Sequence, residues 1–228
     1  MIVISYPKSG LTWLLGMLSN YYEYYFTGRD FSRQTILSIE KCEMKYDNWV
    51  MGYHDVNMQL VKKVKEHYNK RVVYLIRDPR DCLVSLYFYR AYCKNILTKR
   101  IKFRIKTTLS HYGFVRKTLE AWKQHVRTYK DECDQVISYE ELINDCTGSL
   151  SRLTGTDDMS RLGTVVDENS FQAHSGREQG QENKYKFARK GIVGDWNNYY
   201  SDPKYKKLIK DIVGQELIQF GYEKDFNW

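Results

Sequence analysis

Apolar positions open the chain as a β-branched run, Ile2-Val3-Ile4, which breaks at Pro7-Lys8-Ser9-Gly10 and resumes at helical spacing through Leu14, Leu15, Met17 and Leu18. The pattern predicts a strand over 1–6, a tight turn, and a helix over 10–20. The same reading places a strand at 48–53 and a helix at 57–68. Residues 71–77 form an almost unbroken apolar run, which predicts a strand covered on both faces. Helices are expected at about 79–92 and 112–129, then a strand at 135–138 and a helix at 139–146. The Gly-rich stretch 155–195 reads as irregular, and Tyr205, Leu208, Ile209, Ile212, Val213 and Leu217 predict a helix opened by Pro203. Strands alternating with helices imply an α/β chain in three layers, a mostly parallel central sheet flanked by helices, as one domain over 1–228. In such sheets ligands bind beyond the carboxyl ends of the strands, where Lys8 and Arg77 both fall.

The first turn carries candidate chemistry. A helix start leaves backbone N–H groups unpaired and presents a positive dipole end, so it attracts anions. Lys8 adds a full charge, and Ser9 and Thr12 add hydroxyl donors. The nucleotide-triphosphate loop requires a Lys after its second Gly, followed by a Ser or Thr that holds magnesium. Here one Gly follows the Lys, and Trp13 stands where that loop asks for no aromatic. A second turn follows the buried strand. In Arg77-Asp78-Pro79-Arg80-Asp81-Cys82-Leu83-Val84-Ser85, Asp78 is a good N-cap and Pro79 a favoured first helical residue. That fixes Arg77 at the strand end, where a guanidinium can grip a phosphate and the Ser85 hydroxyl can complete its coordination.

The order Tyr6-Pro7-Lys8-Ser9-Gly10-Leu11-Thr12-Trp13 resembles the 5′-phosphosulfate loop of the cytosolic-type sulfotransferases. Those enzymes have a P-loop nucleoside-triphosphate-hydrolase-like fold and use 3′-phosphoadenosine-5′-phosphosulfate (PAPS). The spacing from Arg77 to Ser85 is similar to that family's 3′-phosphate motif, and Arg189-Lys190-Gly191-Ile192-Val193-Gly194-Asp195-Trp196 resembles the segment that closes over its nucleotide. The resemblance implies that Lys8, Ser9, Gly10 and Thr12 hold the 5′-phosphate and that Arg77, Ser85, Arg189, Lys190 and Gly191 hold the 3′-phosphate. Tyr139, in a Tyr-Glu-Glu-Leu junction similar to the family's, would lie near the adenine, and Trp13 would stack on it. The implied reaction is sulfuryl transfer to a hydroxyl or amine of a small molecule, releasing adenosine 3′,5′-bisphosphate (PAP). Lys8 would neutralise charge on the bridging oxygen, with Ser85 restraining Lys8 until an acceptor binds. His54 is the candidate base and His174 the reserve. Family members usually carry Lys, then Ser or Thr, before that His, whereas this chain has Gly52-Tyr53-His54. Aromatic clusters at Tyr21, Tyr22, Tyr24, Tyr25, Phe26 and at Tyr87, Phe88, Tyr89, Tyr92 either line the acceptor side or pack internally. Two rival readings are a P-loop nucleotide kinase-like phosphotransferase and a non-catalytic basic module that binds polyanions.

Composition narrows the setting. The chain has 228 residues, 42% of them hydrophobic and 28% charged, so a substantial core is available without staples. No apolar run reaches about 18 residues, so no membrane partner is expected. Cys42, Cys82, Cys93, Cys133 and Cys146 are odd in number and lack C-x-x-C spacing, which points to reduced thiols in the cytoplasm and to no metal site. No nucleic-acid partner is expected, although a net charge of +8 alone is compatible with nucleic acid, an acidic membrane or a polyanionic ligand. The basic residues are densest from Lys94 to Lys106, as a basic patch or as a solvated helix or loop face.

Overall fold

A computed structural model describes residues 1–22, 50–67 and 69–228. Tyr24, Tyr25, Phe26, Cys42 and the expected start of the second strand, Asn48 and Trp49, lie outside them. The chain separates into two compact units, each built from two stretches: Met1–Arg77 with Arg127–His174, and Asp78–Val126 with Ser175–Trp228.

The first unit holds the sheet. Strands β1 (Ile2–Ser5), β2 (Met51–Tyr53), β3 (Val72–Ile76) and β4 (Gln135–Ser138) lie in the order β2-β1-β3-β4, and every pairing is parallel. The strands are short, and β1, β3 and β4 carry β-branched residues whereas β2 is Met-Gly-Tyr; parallel pairing requires crossover connections between them. Alternate residues Val3, Val73, Leu75 and Ile137 enter one apolar cluster. Helix α1 (Leu11–Tyr22) contributes Leu11, Leu14, Leu15, Met17 and Leu18 to it. The opposite set, Ile2, Ile4, Val72 and Tyr74, is equally buried, so the central strands are covered on both faces, as the apolar run in β3 predicts. Helix α2 (Met58–His67) packs against β3.

The second unit begins with α3 (Pro79–Phe88), capped by the Asp78 side chain on the Arg80 amide. A π-helical turn, Tyr89–Cys93, extends it, and α4 (Leu97–Leu109) follows. Helix α5 (His111–Tyr129) leads back to the first unit. There the expected single helix at 139–146 is two: α6 (Tyr139–Asn144), with a Ser138–Glu141 capping box, and α7 (Cys146–Thr154), capped by Asp145. Asp145 ends one helix and starts the next, which local apolar periodicity does not reveal.

The stretch 155–195 is not irregular throughout. It contains α8 (Met159–Glu168) and the short α9 (Phe171–Ser175). Leu162 and Val165 of α8 join the cluster beneath the sheet. Glycines and charges obscured this amphipathic helix, because burial of two or three side chains is enough to hold it. A short helix α10 (Asn197–Tyr200) and the long α11 (Pro203–Gln219) close the chain.

Candidate functional site

The β1–α1 turn gathers Lys8, Ser9, Gly10, Thr12 and Trp13 at the carboxyl end of β1. Lys8 has φ +75° and Gly10 φ +98°, so left-handed residues flank Ser9. Alternation of this kind is the backbone geometry of anion nests, in which neighbouring amides face one side. Ser9 is fully buried, and its amide bonds the Tyr6 carbonyl at 3.2 Å, which closes the turn. The Gly10 carbonyl accepts from Trp13 and Leu14 at 3.0 and 3.1 Å, so the helix begins here. The amides of Leu11 and Thr12, first in α1, have no acceptor within the helix by its geometry. A non-glycine residue at positive φ costs of order 1–3 kcal/mol and persists only where its surroundings impose it. At Gly10 a Cβ would lie 2.6 Å from the Tyr139 ring, so no other residue fits.

Tyr139 is itself buried and organises this turn. The Arg77 guanidinium sits 4.0 Å from its ring centre, and Trp13 meets it edge-on at 5.8 Å. Arg77, at the end of β3, donates from Nη1 to the Lys8 carbonyl at 3.1 Å. Arg77 therefore braces the backbone of the turn while bringing its positive charge to the turn. The Trp13 indole N–H donates to the Asn169 carbonyl at 2.8 Å, which fixes the plane of the ring. Asn169, at the end of α8, is a supporting residue that sequence patterning missed.

His54 follows β2. Its Nδ1 lies 2.9 Å from the Ser5 carbonyl, an acceptor only, so Nδ1 carries the proton and the neutral ring keeps its lone pair on Nε2. Burial pushes the imidazole below its ordinary value, the Ser5 hydrogen bond opposes this, and the Lys8 charge adds to the lowering. The glycine two residues earlier has a packing cause. A Cβ at Gly52 would approach Leu15 to 2.3 Å and Leu11 to 3.0 Å, so α1 leaves no room there for the lysine of the family pattern. His174 is exposed, in α9.

In the second unit, Ser85 lies half-buried two turns into α3. Arg189 pairs with Asp195 and Glu182, and its guanidinium lies 4.5 Å from the Phe88 ring centre. Lys190 donates to the other Asp195 oxygen at 2.6 Å, and the Gly191 carbonyl accepts from Gln179. Asp195 is 3% exposed. Burial alone would raise its pKa, but hydrogen bonds from Lys190, Arg189 and Asn198 outweigh that and hold it low. The segment is anchored by Asp81, whose carboxylate accepts from the Gly194 and Trp196 amides at 2.8 and 3.0 Å. Arg80, 2% exposed, bonds Asp78 and Glu223 and stacks 3.9 Å from the Trp196 ring centre. The charges flanking Pro79 thus tie two sequence motifs together within this unit. Tyr87 packs with Phe103, His111 and Phe114, so part of that aromatic cluster is internal.

A family model for the sulfotransferase domain matches residues 1–221. Human sulfotransferase 2B1 is 26% identical to this chain over 91% of its residues, and the match spans 65% of the human protein. Mouse sulfotransferase 2A6 is 26% identical over 98% of this chain and 87% of its own. Among solved structures, mouse sulfotransferase SULT7A1 complexed with PAP aligns with a TM-score of 0.70 at 20% identity, covering 95% of this chain and 83% of that one. Retinol dehydratase in complex with androsterone and PAP aligns at 0.57 and 15% identity, covering 95% and 80%. At these identities the structural likeness establishes the fold.

Proposed function

The chain belongs to the sulfotransferase family, and from that premise we propose that it transfers a sulfuryl group from PAPS to a hydroxyl or amine of a small-molecule acceptor. The observation that carries the proposal is the turn at Lys8 and Gly10, whose left-handed residues and helix start form a charged anion nest. That donor set fits a phosphate without a metal ion, because Lys8 and the amides supply the positive charge.

Each residue then has a defined task. The turn amides, Ser9, Gly10 and Thr12 hold the 5′-phosphate. Lys8 neutralises charge on the bridging oxygen as the bond between sulfur and that oxygen breaks. The acceptor oxygen or nitrogen forms the new bond to sulfur in line, and its proton passes to Nε2 of His54. A depressed pKa keeps His54 in the basic form at neutral pH. Arg77 braces the turn and brings its charge to the donor, while Trp13 and Tyr139 serve the adenine; in the second unit, Ser85, Arg189, Lys190 and Gly191 serve the 3′-phosphate. The product PAP leaves when transfer is complete. We place the enzyme in the cytoplasm as a single catalytic domain, a reading supported by the free thiols of Cys82, Cys93, Cys133 and Cys146.

The test is a panel of phenols, alcohols and amines incubated with PAPS and read by mass spectrometry for a sulfated product. At least one class should gain a sulfate, and PAP should raise the melting temperature more than Mg-ATP does. No product from any class, with Mg-ATP the better stabiliser, would favour the phosphotransferase reading instead.

A further inference from the structure

Helix α4 turns an exposed apolar stripe to the outside in the most basic part of the sequence. Leu97, Ile101, Ile105 and Leu109 are 59%, 46%, 57% and 83% exposed. At about 100° per residue these four, spaced by four, fall within an arc of about 120°. The inward ridge of the helix is different: Arg100, Phe103 and Thr107, centred about 150° away. Phe103 fits against Tyr87 and Phe114, and Arg100 donates to the Tyr92 carbonyl at 2.8 Å, so the helix cannot roll its stripe inward. Ile101, Arg104, Ile105, Thr108 and Leu109 also line a shallow depression of about 330 Å³.

The charge around the stripe identifies what it meets. Between Asp81 and Glu120 the chain has nine Lys and Arg residues and no Asp or Glu, so this stretch alone exceeds the +8 net charge of the whole chain. On the helix wheel Lys102, Lys106 and Lys99 lie along one flank of the stripe and Arg104 along the other. A short helix with an apolar face rimmed by Lys and Arg is the pattern of an element that lies in the plane of a bilayer interface. A second copy of this chain would bring like charges together along the whole rim. Nucleic acid would engage the rim and leave the apolar stripe in water.

We propose that α4 docks on an anionic phospholipid surface, its stripe sunk to the acyl boundary and its lysines at the headgroups. Such docking needs no spanning segment, and among the described residues no helix is long and apolar enough to cross a membrane. The proposal is independent of the transfer chemistry, because none of these side chains is assigned to it.

Sedimentation of the whole protein with vesicles tests it. Binding should be strong to mixed phosphatidylcholine and phosphatidylserine, weak to phosphatidylcholine alone, and reduced by salt. Replacing Lys99, Lys102 and Lys106 by Gln should weaken it about a hundredfold, at about fivefold per lysine. The double variant Ile101→Gln with Ile105→Gln should weaken it about tenfold. All five side chains are exposed, so both variants should melt as the parent does and respond to PAP as it does. Equal binding to both vesicle types overturns the proposal. So does full retention by the isoleucine variant, which would leave a purely ionic attraction to polyanions. A dimer in solution that the isoleucine variant dissociates would assign the stripe to a second copy and overturn it as well.

Discussion

The turn at Lys8 and the segment from Arg189 to Asp195 both gather positive charge, by opposite means. In the first, backbone does much of the work: left-handed residues at 8 and 10 and the start of α1 contribute oriented amide dipoles. In the second, side chains dominate, and both cations share a nearly buried Asp195, with Glu182 also on Arg189. A phosphate meeting the first turn finds oriented donors. One meeting Arg189 and Lys190 competes with carboxylates already in place. Intrinsic anion affinity should therefore be concentrated at the first turn, and the second should gain affinity by releasing Asp195.

The largest effect should come from Lys8→Ala. Losing a charge that develops its full value in the transition state should lower kcat about a thousandfold, measured with saturating PAPS. Arg189→Ala should act mainly on KM for PAPS. A larger loss of kcat for Arg189→Ala than for Lys8→Ala would invert the comparison.

Asp195→Asn leaves two partly buried cations without their shared carboxylate and should destabilise the fold by about 3 kcal/mol in denaturant titration. The same variant should show a larger PAP-induced rise in melting temperature than the parent, because the ligand then meets unneutralised charge. An equal or smaller rise would mean that the three residues form a purely structural unit.

Gly10→Ala should cost about 2 kcal/mol, since φ is +98° and the new methyl would strike Tyr139. It should also erase most of the PAP response, which circular dichroism and a melting series read separately. Retention of that response would show that the amides of the turn are dispensable.

The smallest and most diagnostic effect is the pH dependence of His54. Its pKa in the fold is depressed, so the basic form persists at pH values below the ordinary imidazole range. Transfer should hold steady through pH 6.5 and fall only on further acidification, a limb that His54→Ala should remove along with about a hundredfold in rate. Linkage has the matching sign. The unfolded chain takes up the proton first, so this contribution to stability is complete above pH 6.5 and is lost as the pH falls toward the folded-state pKa. A limb that survives in His54→Ala would remove the residue from the base role.

Legibility in the sequence followed the range of the interactions. The ends of β1 and β3 and the start of α3 were readable because a β-branched run, a Pro and an Asp N-cap act within a few residues. Helix α8 was not, since Leu162 and Val165 gain their value from a cluster assembled by distant strands. Asn169 holds Trp13 across 156 positions, which no local pattern can express. The basic stretch from Lys94 to Lys106 was visible as charge, but its alternatives stayed open until Phe103 fixed which side of the helix faces out.

By itself the sequence determined which residue types stand at the two strand ends, and hence the cationic character of both turns, because capping, strand termination and charge are local properties. Tertiary structure alone decided how those residues are used. It pressed α1 against position 52 so that only glycine fits, set the His54 tautomer with a carbonyl 49 residues away, and placed Asp195 between two cations. These outcomes depend on which surfaces meet when the sheet and its helices pack, and close packing in three dimensions is not written in any one segment of the chain.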